Sequence, residues 1–370
     1  MRVIHVAPTA FGRDGLFGGG ERYPHELARA LAQHVACELV TFGTDPRTMR
    51  DGELTIRVVR PLAYLGGHPA RAIAPALTRV IRDADIVHAH HMRAPSSMLA
   101  AITARARGIA TVVTDHGLQG SDLGGLVPRL FDRFLAVSRH SAALLGTPRS
   151  RTRIVYGGAD TVRLRPDPDI CRAGVLFVGR LTPHKGIDVL IRALPTGVRL
   201  TVVGTEGHDP RLPERDYPRL LRALAAERPV EFLGAIDDDE LARRYRTAAV
   251  LVIPSVEQTC YGRTVAVSEL LGLVALEAMA SGTPVIASRV GGLPEIVEDG
   301  VTGCLVPPGD VVALRSRIAD LVGDPATAAR LGSNARERVV SELSWDRCAQ
   351  RCLEAYQQLL DATTSRDEAP

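Results

Sequence analysis

Lysine is nearly missing from this sequence of 370 residues: its 45 basic residues are 44 arginines and a single lysine, Lys185. Arginine does not replace lysine where a compact ammonium point charge is required, so the one position that keeps its lysine is the first to inspect. Long apolar runs are missing too. No stretch of 18 apolar residues occurs, which excludes a spanning helix, and the opening MRVIHVAPTA reads as a buried strand without the apolar run of a signal peptide. The six cysteines (37, 171, 260, 304, 348 and 352) form no C-x-x-C pair, which argues against a disulfide framework or a zinc site. Cys348 and Cys352 lie four apart on an expected helix, but no His or Cys with ligand spacing accompanies them. The expectation is reduced thiols in a cytoplasmic protein. No G-x-G-x-x-G follows a strand, which disfavours a nicotinamide dehydrogenase. The net charge of +3 is too small to indicate a nucleic-acid partner.

What is present is an ordinary globular composition, 45% hydrophobic and 24% charged, over a length that suggests two domains. The first 170 residues carry 22 arginines against 15 acidic residues, and the remainder is net acidic. That basic half allows at most a peripheral membrane contact, for which residues 71–82 are the weak amphipathic candidate. Short apolar runs at 2–6, 38–42, 86–88, 111–114 and 134–137 read as buried parallel strands, with helices over 21–32, 72–82 and 97–107 between them. A second series follows: strands at 174–178, 199–203, 230–233, 250–254 and 284–287, with helices at 187–194, 218–226 and 272–280. Alternation of this kind means two doubly wound α/β domains, expected at 1–168 and 169–345 with a linker at Pro166 to Asp169. A helix at about 346–365 is expected to pack back on the first domain. Ligands of doubly wound sheets bind outside the carboxyl ends of the strands, here in the cleft between the domains.

Lys185 falls in a strand-to-helix loop, Gly179-Arg180-Leu181-Thr182-Pro183-His184-Lys185-Gly186. Two cations beside a helix N-terminus suit a diphosphate. Further on, Glu269 and Glu277 bracket Leu270 to Leu276. Gly272 and the apolar run place Glu269 in a loop, directed at a sugar, and Glu277 about one turn into a helix. Among Leu273, Leu276 and Met279, the Glu277 carboxylate needs a partner, and ribose hydroxyls would supply one.

The segments GRLTPHKG, ELLGLVALEAMASGTPVIAS and GGLPEIVEDGVTGCLVPPGD resemble the retaining nucleotide-sugar glycosyltransferases of family 4, which have the GT-B fold: two Rossmann-like α/β domains facing an interdomain cleft. The resemblance covers nearly the whole chain, including Gly18-Gly19-Gly20-Glu21, DIVHAHH and VVTDHG. It implies that Arg180 and Lys185 hold the donor diphosphate and stabilise the leaving group, that Glu269 touches the donor sugar, and that Glu277 binds ribose. It also implies donor contacts at Gly18, Gly19, Gly20, Gly179, Gly272 and Leu273, and makes His116 the acceptor-side histidine, with His91 beside the acceptor. The implied first domain binds the acceptor and the second the nucleotide sugar. The implied chemistry is front-face transfer, which needs no dedicated protein base, no cofactor and no metal.

Some features depart from that pattern. Residues 256–267 form an extension in which Glu257 is a decoy for the first glutamate, and Tyr261 and Arg263 are expected to shape the sugar pocket. Tyr156-Gly157-Gly158-Ala159-Asp160 replaces the family's Asn-Gly loop. Asp237-Asp238-Asp239-Glu240 imitates a metal-binding Asp-x-Asp, but its place between strand and helix fits N-capping. His88, His90 and His91 imitate a zinc cluster; their near-adjacent spacing on a strand end is expected to turn the side chains to different faces. The alternatives are a nucleotide-sugar epimerase of the same fold and a non-catalytic nucleotide-sugar-binding partner of another transferase. A pyridoxal phosphorylase is disfavoured because the only lysine sits in the phosphate loop. The acceptor, whether small molecule, lipid or glycan, stays open.

Overall fold

The computed structural model describes residues 1–8, 19–117, 124–145, 148–206, 214 and 216–367. The chain forms two compact units. One comprises Met1–Gly157 together with Trp345–Pro370, and the other Gly158–Ser344.

The first unit contains β1 (Arg2–Val6), β2 (Ala36–Phe42), β3 (Arg47–Asp51), β4 (Leu54–Val59), β5 (Ala63–Tyr64), β6 (Ala72–Ile73), β7 (Ile86–His90), β8 (Ala110–Thr114), β9 (Arg133–Ala136) and β10 (Thr152–Ile154). Eight of them make one sheet in the order β10-β9-β8-β7-β1-β2-β4-β3, parallel except for the β3–β4 pair. The central strands are apolar on both faces because helices cover both. Ile4, Val6, Val40 and Val87 pack with Leu77, Ala100 and Ala104, while Ala89 and Val113 pack with Phe131 and Phe134. The helix Trp345–Asp367 belongs to this unit. Trp345 meets the ring of Tyr23 edge-on at 5.3 Å, and Tyr356 reaches His88 on β7.

The second unit holds β11 (Val175–Val178), β12 (Leu200–Val203), β13 (Val230–Gly234), β14 (Val250–Ile253), β15 (Val285–Ser288) and β16 (Gly303–Val306), ordered β13-β12-β11-β14-β15-β16 and parallel throughout. The strand order reverses beside β11, where β12 and β14 flank it. The loops after β11 and β14 therefore diverge at the carboxyl edge, which is where such sheets bind ligands.

Two expectations need correction, and one element has no counterpart in the sequence reading. The division falls at Gly157/Gly158, not at 168/169. Residues 158–168 belong to the second unit because Ala159 N donates to Leu343 O, Leu164 is buried, and the Arg336 guanidinium donates to the carbonyls of Thr161 and Leu164. The amphipathic helix over 72–82 does not form. Pro75 disfavours helical geometry before it, so Ala72–Ile73 pairs with β5 and only Leu77–Val80 is α-helical. Ala72, Ala74, Leu77 and Ile81 are buried in the core, so these apolar residues of the stretch face inward. The β3–β4 hairpin escapes the apolar-run criterion because β3 is Arg-Thr-Met-Arg-Asp, a polar edge strand. No helix among the described residues is long and apolar enough to cross a membrane.

Candidate active site

The lysine loop leaves β11 through Gly179 and closes as a 3-10 turn, Pro183–Lys185, with Lys185 N donating to Thr182 O at 2.9 Å. Gly186 follows at φ +67, where a Cβ would lie 1.9 Å from the Pro254 carbonyl oxygen. Only glycine allows that approach, so the turn is pressed against the end of β14. The helix Ile187–Ala193 starts immediately after it.

The turn delivers the Lys185 ammonium to Glu269. Nζ and Oε2 are 2.5 Å apart, with the side chains only 18% and 14% exposed, and Ser255 Oγ donates to the same oxygen at 3.5 Å. Arg180 is exposed, and among the described residues its guanidinium has no hydrogen-bond or ion-pair partner. The His184 ring lies between them in sequence, and burial first, then the charges of Lys185, Arg180 and Arg263, lower its pKa to about 3. Burial and nearby positive charge both disfavour a protonated ring, so the imidazole stays neutral.

Glu269 is held from below by glycine. Gly292 N donates to Glu269 O at 3.1 Å, and Gly291, at φ +57, lies so close that a Cβ would come within 1.8 Å of that oxygen. Gly272, at φ +97, then turns the chain into the helix Leu273–Ala280, whose first residue is Leu273. The first amide of this helix to find a partner is Ala275 N, which donates to Gly272 O at 2.9 Å; the amides of Leu273 and Val274 precede the first helical hydrogen bond. Glu277 is 8% exposed and accepts a hydrogen bond from the buried Tyr245 hydroxyl at 2.7 Å. Its partner in the protein is thus a tyrosine on the helix Asp238–Thr247, a residue that nothing in the sequence singles out.

The extension folds into a small hairpin, with Gln258 bridged to Thr264 and Val265 N donating to Glu257 O. Arg263 does not point into open space: its guanidinium clasps Glu214, Nε to Oε1 at 2.9 Å and Nη2 to Oε2 at 2.8 Å. The Tyr261 hydroxyl donates to Asp216 at 2.8 Å. Both residues fasten the hairpin to the start of the helix Tyr217–Ala225. Because Glu214 is 2% exposed, Arg263→Ala leaves a buried carboxylate unpaired, with an expected stability loss of about 2–3 kcal/mol. Adding Glu214→Gln should return most of it, as read from urea unfolding midpoints.

At the same carboxyl edge a cavity of about 430 Å³ is lined by Leu181, Gly204, Thr205, Glu206, Leu221 and Phe232. A second cavity, about 490 Å³, lies at the amino ends of the strands beside Gly174 and Arg199, away from the lysine loop. Asp237 of the acidic run caps its helix, Oδ1 accepting from Glu240 N at 2.8 Å, and Glu240 pairs with Arg243 and Arg244.

In the first unit, Gly19 and Gly20 open the helix Gly19–Leu31, and Gly20 lies against His91 and His116; Gly18 is outside the described residues. His91 has φ 64, and its ring meets that of His116 edge-on at 5.1 Å. Burial lowers the pKa of His91 to about 4, and burial with the His91 charge pushes His116 well below the usual imidazole range. The three histidines of β7 and its end do not all diverge. Residues 88 and 90 are two apart and share a face, so their rings stack at 4.6 Å, and only His91 turns away. His5 joins them because β1 pairs with β7 with His5 opposite His88. His5, His88 and His90 are the group among the described residues whose ligand atoms lie close enough, within 4.8 Å, to share an ion. Alternate histidines on two adjacent strands were the available signal for this cluster.

Residues 172–338 match the family described as Glycosyl transferases group 1, and residues 17–163 match Glycosyltransferase Family 4. The sequence is 30% identical to the D-inositol 3-phosphate glycosyltransferase 1 of Catenulispora acidiphila, over 98% of this chain and 96% of that protein. The fold is similar to that of a sucrose-phosphate synthase from Thermosynechococcus elongatus (TM-score 0.74, 26% identity, 98% of this chain and 100% of that one). It is also similar to that of Anabaena HepE in complex with UDP-glucose (TM-score 0.74, 21% identity, 97% and 100%). With two Rossmann-like units built on largely parallel sheets, the GT-B fold class, this chain belongs to glycosyltransferase family 4.

Proposed function

We propose that this glycosyltransferase moves a sugar from a nucleoside-diphosphate donor to a hydroxyl of a small-molecule acceptor, with retention at the anomeric carbon and without a metal ion. The observation that carries the reading is the Lys185 ammonium fixed on Glu269, in the same loop as Arg180, whose guanidinium has no partner among the described residues. A diphosphate leaving group would draw on both cations, while Glu269 would accept from sugar hydroxyls and Glu277 from ribose. The cavity of about 430 Å³ beside Leu181 is of a size to take the nucleoside. In the front-face reaction the donor C1–O bond breaks, the acceptor oxygen bonds to C1, and the acceptor proton passes to the departing phosphate oxygen. The products are the glycoside and a nucleoside diphosphate. Free thiols at all six cysteines suit work in the cytoplasm.

A small acceptor is favoured because Ala72, Ala74, Leu77 and Ile81 of the basic stretch at 71–82 are turned into the core. The Catenulispora relative is named for an inositol phosphate, and the Anabaena complex holds UDP-glucose, so polyol phosphates and UDP-glucose head the panels. The test is acceptor-dependent release of nucleoside diphosphate across donor and acceptor panels, with NMR assignment of the product anomer. Inversion refutes retention. Nucleotide release without an acceptor, accompanied by an epimerised sugar, replaces the reading by an epimerase, and no turnover of any donor favours the non-catalytic partner. EDTA is expected to leave the rate within twofold of the untreated enzyme. Loss of activity restored by a divalent cation would overturn metal independence.

A further inference from the structure

The buried histidines of the first unit form a hydrogen-bonded line. His5 Nδ1 is 3.0 Å from His90 Nε2, and His90 Nδ1 is 3.2 Å from His116 Nε2. His5 and His90 are wholly buried, whereas His116 is partly open. The rings are held in place from the side: His88 stacks on His90 and has both its nitrogens occupied, Nδ1 by the Tyr356 hydroxyl at 2.6 Å and Nε2 by the Thr114 hydroxyl at 2.8 Å.

Each N···N contact needs one proton and no more. Burial, reinforced by neighbouring histidines, keeps His90 neutral by pushing its pKa well below the usual value. A neutral His90 carries one proton, so the two contacts switch together and the line has two states. With the protons pointing inward, His90 donates to His5, His5 carries its proton on Nε2, and His116 shows a bare Nδ1 to substrate. Pointing outward, His5 Nδ1–H donates to His90, His90 Nδ1–H donates to His116 Nε2, and His116 carries its proton on Nδ1. The far end decides between them. Among the described residues His5 Nε2 is buried with no hydrogen-bond partner, and a buried N–H without an acceptor is rarer in native structures than an under-used acceptor.

We infer that His5 and His90 are positioning residues that polarise the line outward and hold His116 as its Nδ1–H tautomer, a hydrogen-bond donor to a substrate oxygen instead of a base. The role assigned to His116 rests on the transferase reading above, and the tautomer itself does not. It deepens that reading, because a donor at this position fits a reaction whose proton goes to the leaving phosphate. Which ring nitrogen of a histidine faces outward with its proton is set by the bond the other nitrogen makes.

The test is long-range ¹H–¹⁵N correlation of the full-length protein labelled with ¹⁵N-histidine, with the His116 signals assigned by their loss in His116→Gln. The expected pattern is a protonated Nδ1 and a bare Nε2, opposite to the Nε2–H form that dominates in free histidine. His5→Asn, whose amide can still donate to His90, should keep that pattern and a kcat within twofold of wild type. His5→Phe should mix the tautomers and lower kcat by roughly tenfold with little change in KM, the scale of losses when an outer hydrogen-bond partner of a tuned histidine is removed. An Nε2–H or averaged His116 in the wild-type protein overturns the inference, as does stoichiometric zinc on His5, His88 and His90 by elemental analysis. If the protein shows the Nδ1–H form yet transfers no sugar, the tautomer lock stands and the transferase reading falls.

Discussion

Lys185→Arg is expected to lower kcat/KM by about a hundredfold or more, the scale at which single preorganised charges matter, while the unfolding midpoint stays close to wild type. The substitution keeps the charge, so a loss must come from shape. The ammonium reaches Glu269 at 2.5 Å from a 3-10 turn that cannot widen, because Gly186 already touches the Pro254 carbonyl. A planar guanidinium on a longer stem has to be accommodated in the same space, and its fork would pair side-on with Glu269 instead of leaving a compact charge for an incoming phosphate. Lysine appears once in 370 residues, and a chain that uses arginine at 44 other places keeps the ammonium where the substitution is expected to fail. Steady-state kinetics with saturating acceptor, together with urea unfolding, separate the two effects. Turnover equal to wild type would remove Lys185 from the donor phosphates.

The parallel core is legible in the sequence because its strands are buried on both faces and read as unbroken apolar runs: Val-Leu-Phe-Val at β11 and Val-Leu-Val-Ile at β14. The loop cations and the spacing of Glu269 and Glu277 are legible for a different reason, since charged residues inside apolar segments stand out. What stays hidden depends on contacts between segments distant in sequence. Tyr245 precedes its Glu277 partner by 32 residues, and His5 reaches His90 across 85. The pairing of Arg263 with Glu214 spans 49 residues and ends on a carboxylate that looks like any surface glutamate until its burial is known. Pro75 is the one local signal that outweighs the helical pattern at 72–82.

Gly291→Ala is expected to damage stability and catalysis together. At φ +57 an alanine carries a left-handed backbone penalty of about 1 kcal/mol. More costly is the overlap, since its Cβ would sit 1.8 Å from the Glu269 carbonyl oxygen and 2.8 Å from the carbonyl carbon. Neither side yields easily: Gly292 is also pressed on Leu270, with 2.3 Å from a Cβ there to the Leu270 oxygen. The Glu269 backbone has to retreat by about 1 Å or more, and displacement of that size costs on the order of a hundredfold in rate. The stability loss is expected at about 2–4 kcal/mol. Gly309→Ala is the matched control, with φ +78 and nothing within 4 Å of its Cβ. It bears the conformational penalty alone, so it should lose about 1 kcal/mol and keep wild-type kinetics. The difference between the two variants isolates the contact with Glu269. If Gly291→Ala matched Gly309→Ala in both kinetics and unfolding, the glycine pair would not be what holds Glu269 in front of Lys185.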